Sequence, residues 1–141
     1  MNKNLIASST ILINSTPHKI WDVLINPEKV KIYLFGTKIK TDWKKGNPIS
    51  FEGEYQGKTY NDKGIVMDYQ PLQTISYSYW SSFSGLEDKT ENYAIINYQP
   101  KEQGEGIYHF RWHQQGFESE EGKCHTEKEL IAILQEIKKI A

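Results

Sequence analysis

The chain has one cysteine, Cys124, so no internal disulfide can brace it, and its thiol content fits a cytosolic setting. Neither charge sign is in excess: 17 Lys and Arg face 18 Asp and Glu, for a net charge of −1. Without a basic footprint, nucleic acid is not an expected partner. Long hydrophobic runs are missing as well. The opening stretch MNKNLIASSTILIN is broken by Ser, Thr and Asn, and has no continuous signal-peptide core. No later segment could insert into or span a bilayer, and the expected location is cytoplasmic. Gly104-Glu105-Gly106 is a turn signal without the strand-to-helix context of a phosphate loop. No repeat, low-complexity tract or linker divides the sequence. Its 141 residues fit a single domain, 1–141, large enough to bury a core without disulfides or metals.

Aromatic side chains are present in quantity. They make up 13% of a chain whose hydrophobic content is 38%, so Tyr, Trp and Phe supply much of the area available for burial. Short β-strands account for most of the length. Leu5–Asn14 reads as a first strand with Ile11 and Ile13 on one face. Thr16-Pro17 then pairs an N-cap with a proline at the first helical position, opening a short helix with Ile20, Trp21 and Leu24 on its apolar side. Asn26-Pro27-Glu28 repeats the signal for a second short helix, through Val30 and Leu34 to Gly36.

Strands at hairpin spacing follow: Thr37–Trp43, then a turn at Lys44–Pro48, then Ile49, Phe51 and Tyr55 alternating with polar residues. Lys58–Tyr69 comes next, its Gly64 predicting a bulge or bend and Pro71 closing it. Ile75, Tyr77 and Tyr79 alternate with Thr74, Ser76 and Ser78. Ser81–Glu91 is too long for a tight hairpin and is a candidate lid. Asn92–Tyr98 and Gly106–Gln114 complete the sheet, with Tyr108, Phe110 and Trp112 on one face and His109, Arg111 and His113 on the other. From Thr126 to Ala141, Leu130, Ile131, Ile133, Leu134, Ile137 and Ile140 recur at helical spacing. A lone amphipathic helix must bury its stripe, and the sheet is the only large partner. The expected fold class is α+β, a curved antiparallel sheet of about six to seven strands wrapped around a long C-terminal helix.

This order of elements resembles the helix-grip fold of the START and birch-pollen-allergen (SRPBCC) superfamily. The segments IWDVLINPEKVKIYLFG, DWKKGNPISFEGEYQGKTYNDKGIV, PLQTISYSYWSSFSGLED, ENY and ILQEIKK look, in that order, like the activator of heat-shock-protein-ninety ATPase homologues. The resemblance runs from about Ile11 to Lys139. It implies the carboxy-terminal-domain type of that family, with no catalytic set to carry over and a chaperone partner as a weaker implication. Leu130 stands where members often carry Trp, and Gly106–Gln114 is more aromatic and basic than is typical.

Chemistry that depends on a metal or nucleophile finds little support in the spacing. His109 and His113, four apart in a strand, are separated by about 13 Å of strand rise, too far for one ion whose ligands sit at about 2 Å. Cys124 and His125 are adjacent, and neighbouring residues rarely face each other as nucleophile and base. No metal and no cofactor are expected. What remains is an inward aromatic and aliphatic set: Phe51, Tyr55, Tyr77, Tyr79, Tyr108, Phe110 and Trp112 from strands, with Leu130, Ile133, Leu134 and Ile137 from the last helix. An apolar lining with a few fixed hydroxyls suits a small hydrophobic or aromatic guest, such as a lipid, polyketide or flavonoid-like compound. The expected cavity lies between sheet and helix, with its mouth near Ser81–Glu91 and Leu34–Gly36. A co-chaperone-like interaction module and a cyclase or hydrolase using a pocket Tyr or Asp are the alternatives.

Overall fold

The computed structural model describes residues Met1–Ala141. Seven antiparallel strands form the sheet: β1 (Asn2–Asn14), β2 (Lys38–Lys40), β3 (Pro48–Tyr55), β4 (Lys58–Gln70), β5 (Thr74–Tyr79), β6 (Ala94–Gly104) and β7 (Ile107–Phe117). Their spatial order is β1-β7-β6-β5-β4-β3-β2. A meander from β2 to β7 is thus closed on one side by β1, which returns from the start of the chain to pair with β7. Two short helices, α1 (Pro17–Ile25) and α2 (Pro27–Tyr33), follow β1, and α3 (Glu120–Ile140) ends the fold. No helix is long and apolar enough to cross a membrane. The sheet and long terminal helix form the helix-grip α+β architecture.

Local chemistry explains the element boundaries. Thr16 caps α1 by accepting from the Lys19 amide, and Asn26 caps α2 by accepting from the Glu28 amide, each with proline next in sequence. Gln56 and Gly57 both adopt positive φ (51° and 78°), the left-handed pair that a two-residue hairpin between twisted strands requires. Two expectations need correction. α3 begins at Glu120 and not at Thr126, because Ser119 accepts from the Gly122 amide and Glu120 and Glu121 meet the positive end of the helix. Glu118 lies in the loop before the helix, and Glu120 and Glu121 in its first turn. Thr37–Trp43 is strand only over Lys38–Lys40. Beyond it, Thr41 and Asp42 side chains accept from the Trp43 and Lys44 amides, and Trp43 turns at φ 58°.

Gly64 marks a close approach between strands. A Cβ there would lie 1.7 Å from the Ser78 carbonyl oxygen, so only glycine lets β4 and β5 meet at this point. The register slip itself falls slightly further on, between Val66 and Asp68, and the Ser78 hydroxyl accepts from the Ile65 amide beside it.

Twenty-three buried residues form one core on the concave face, drawn from all seven strands and all three helices. α3 packs chiefly along β1, with α1, α2 and β7 at its flanks. Leu130, Ile133, Leu134 and Ile137 are its buried stripe, whereas Ile131 points to solvent.

Candidate functional site

Alternation along β3, β5, β6 and β7 sends a set of large rings to the same side. They form a continuous tier. Tyr79 meets Phe51 at a centroid distance of 5.6 Å, Phe51 meets Tyr77 at 5.5 Å, and Tyr77 meets Tyr98 at 5.6 Å. Tyr98 then contacts Trp112 at 4.3 Å and Phe110 at 6.1 Å, and Tyr33 of α2 sits edge-on to Trp112 at 6.5 Å. Such tilted and edge-to-face contacts suit the ring quadrupoles.

The tier contains polar groups at defined places. The Tyr77 and Tyr98 hydroxyls hydrogen-bond each other, which uses one of their two protons and leaves the other without a protein acceptor. Tyr33 donates to the Leu24 carbonyl at 2.8 Å, tying α2 to α1. Trp112 is only 4% exposed and its indole Nε1–H has no hydrogen-bond partner. At the outer end Tyr79 donates to Asp62 Oδ2 at 2.6 Å, while Asp62 Oδ1 accepts from the Ser82 amide at 3.2 Å. Asp62 is 5% exposed and forms no ion pair, so a carboxylate is buried on two hydrogen bonds alone. Burial pushes the Tyr33, Tyr77, Tyr79 and Tyr98 hydroxyls above the ordinary tyrosine value, with the Asp62 charge adding to the effect at Tyr79. Near neutral pH all four are protonated. They can donate hydrogen bonds but are weak bases.

The same end carries the loop from Ser81 to Glu91. Its Phe83 ring lies against Tyr60 (5.7 Å) and Tyr55 (6.4 Å). Tyr60 crosses β3 where Gly53 has no side chain, a Cβ there falling 2.4 Å from its hydroxyl, and shares a 2.6 Å hydrogen bond with Thr37. Loop, β3–β4 arm and the turn after α2 thus converge around Tyr79 and Asp62. A polar recess of about 480 Å³, bordered by Glu52, Tyr60, Asn61 and Ser82, lies there.

Of the inward set expected from sequence, Phe51, Tyr77, Phe110, Trp112, Leu130, Leu134 and Ile137 are all at most 4% exposed, and Ile133 is 8% exposed. Tyr79 and Tyr108 are half-buried at the margins. Tyr55 is the exception. It is 61% exposed near the tip of the β3–β4 arm, beyond the part of the sheet that curves over the core. The other correction concerns space. Side chains this completely covered leave no water-sized gap against them, so in this conformation the rings and the α3 stripe fill the region expected to be a cavity. Tyr98 belongs to the site but was not among the expected lining; Asp62, which with Asp68 could be expected near the pocket, lies in it though it was not counted as lining. Both were within reach of alternation: Tyr98 shares parity with Ile96 in β6, and Asp62 shares parity with Gly64 and Val66 in β4. His109 and His113 lie on the opposite face of β7, and exposed His125 pairs with Glu129 along α3.

The family model for the Activator of Hsp90 ATPase homolog 1-like protein matches residues 14–141. The chain belongs to this family. Among solved structures it is similar to ChR145 from Cytophaga hutchinsonii, with 34% identity, 99% of this chain and 94% of that chain covered, and a TM-score of 0.81. This Hsp90-activator-homologue chain also shares its fold with the Aha1 dimer from Colwellia psychrerythraea, at 14% identity, 95% and 93% coverage, and a TM-score of 0.72. An HSP90 activator from Plasmodium falciparum matches at 12% identity, 80% and 74% coverage, and a TM-score of 0.63. A comparison with curated proteins finds no match.

Proposed function

We propose that this chain binds a small, mainly apolar molecule carrying a hydrogen-bond acceptor, of flavonoid, polyketide or lipid-like type, within the aromatic tier. The observation that carries this reading is the unpartnered indole N–H of Trp112, whose ring packs on Tyr98 of the Tyr77–Tyr98 hydroxyl pair. Leaving such a donor buried and unpaired costs about 1–3 kcal/mol, a penalty phenylalanine at this position would avoid. A carbonyl or ether oxygen placed between Trp112 and the tyrosine pair accepts from both free donors. The surrounding rings supply the apolar contact. The filled tier admits the guest when the Ser81–Glu91 loop gives way and Tyr79 and Phe51 rotate, a shift between two states of the protein. Binding without turnover suits four phenols held protonated, and no metal or cofactor enters this reading.

A flavanone titration followed by amide shifts tests it. Trp112→Phe is expected to weaken binding about 2- to 12-fold, the equivalent of one hydrogen bond of about 0.5–1.5 kcal/mol. Equal affinity in the variant, or shifts that avoid Tyr77, Tyr98 and Trp112, would overturn it. A second reading, a chaperone partner, is favoured by the paired exposed rings of Tyr55 and Phe83, 61% and 53% exposed at one end of the molecule. The Plasmodium falciparum relative is an HSP90 activator. Purified Hsp90 that binds the native chain but not Phe83→Ala would support this second reading, and no binding to either would dismiss it.

A further inference from the structure

The convex face of the sheet, opposite α3, carries a second recess of about 750 Å³ that the aromatic tier does not use. This lies within the usual range of small-molecule sites, about 300–1,000 Å³. Its floor is apolar: Ile65 and Met67 of β4 are 44% and 41% exposed, and Ile95 of β6 is half-buried beside them. On an antiparallel sheet the outer face is ordinarily polar, so exposed aliphatic residues from two strands lining one concavity are unusual.

The rim is mostly cationic. Lys3, Lys63 and Lys89 border the recess against a single carboxylate, Asp88, in a chain whose overall net charge is −1. Two of these cations already have acidic partners: Lys63 pairs with Asp88 at 2.5 Å and Lys89 with Glu87 at 2.9 Å. Asp88 is further held by the Tyr93 hydroxyl. Lys3 differs. Its ammonium donates to the Tyr93 carbonyl, a neutral acceptor, so its charge remains uncompensated. Gly116 makes this reach possible, since a Cβ there would lie 2.8 Å from Met1 Sδ and 3.3 Å from Lys3 Cδ. The lysine stem therefore crosses β7 at a glycine and delivers its charge to the edge of an apolar floor. Partial burial draws the Lys3 ammonium below the ordinary lysine value, a cost that a bound anion would offset.

We infer that this convex-face recess is a binding site for a small amphipathic anion, its apolar body on Ile65, Met67 and Ile95 and its acidic head on Lys3. An apolar floor with one uncompensated cation at its margin selects a carboxylate- or phosphate-bearing molecule over a neutral one of the same size. The site is separate from the aromatic tier, and the two readings stand or fall independently.

Dodecanoate below its micellar concentration is the probe, with dodecanol as its uncharged counterpart, and amide shifts of the full chain as the readout. Saturable shifts are expected at Ile65, Met67 and Ile95. Lys3→Gln is expected to weaken dodecanoate at least tenfold while changing dodecanol less than twofold, and Met67→Asp should abolish both. Circular dichroism of each variant confirms that the fold is retained. Dodecanoate shifts confined to Tyr77, Phe110 and Leu134 would overturn the site and leave the aromatic-tier reading intact. Unchanged dodecanoate affinity in Lys3→Gln, or no saturable binding, would overturn it as well.

Discussion

Leu134→Ala measures directly whether the space between α3 and the sheet is filled. Leu134 is 1% exposed, in the α3 stripe with Leu130 and Ile137, both equally covered. The substitution deletes a branched butyl body down to a methyl. At about 0.8 kcal/mol per buried carbon group, the lost transfer energy is about 2.4 kcal/mol. A residual void of some 40–80 Å³ adds about 1–2 kcal/mol at roughly 24 cal/mol per Å³. The sum is about 3–4 kcal/mol. With an unfolding entropy of about 2.1 cal/mol/K per residue over 141 residues, this lowers Tm by about 10–13 °C. Urea denaturation should show the midpoint falling with an unchanged m-value, since the surface exposed on unfolding barely changes. A loss below about 1.5 kcal/mol would mean that Leu134 already borders open space, and the description of a filled tier would be wrong.

Gly64→Ala should destabilise the fold by about 3 kcal/mol or more, because the new Cβ meets the backbone oxygen of Ser78 at 1.7 Å and overpacked backbone has little room to yield; denaturation midpoints check this. Alkaline pH should unfold the protein. Tyrosines whose folded pKa lies above the ordinary value near 10 stabilise it fully below pH 10, and that contribution is lost as pH rises through their folded values, about 12 for Tyr93 and well above the ordinary value for the buried four. Absorbance at the tyrosinate band should show Tyr33, Tyr77, Tyr79 and Tyr98 ionising only with loss of fold; ionisation of these four near pH 10 without unfolding would contradict the burial.

The fold was legible because its signals are local and repeated. Thr16-Pro17 and Asn26-Pro27 announce two helices, Gln56-Gly57 a hairpin, and the period-2 pattern of Ile75, Tyr77 and Tyr79 a half-buried strand. The start of α3 was not, because Glu120 to Thr126 carries no apolar stripe and its helicity rests on the Ser119 cap. Tyr55 shares inward parity with Phe51 yet lies outside the core, since parity gives the side of a strand but not where the sheet runs past what it covers. The Asp62–Tyr79 pair depends on β4–β5 geometry near Gly64, and neither the hydroxyl pair nor the lone indole N–H of Trp112 can be read from spacing, because each is a relation between strands distant in sequence.

The indole Nε1–H resonance of Trp112 tests the central claim most directly. In the free protein the proton has no acceptor, while the Trp21 and Trp80 indoles donate to the Tyr69 hydroxyl at 3.0 Å and the Leu86 carbonyl at 3.2 Å and serve as internal references. Addition of a flavanone should move the Trp112 resonance downfield in a saturable manner, slow its exchange with solvent, and leave the two references nearly in place. A saturable binding event that leaves the Trp112 resonance unmoved would contradict the account.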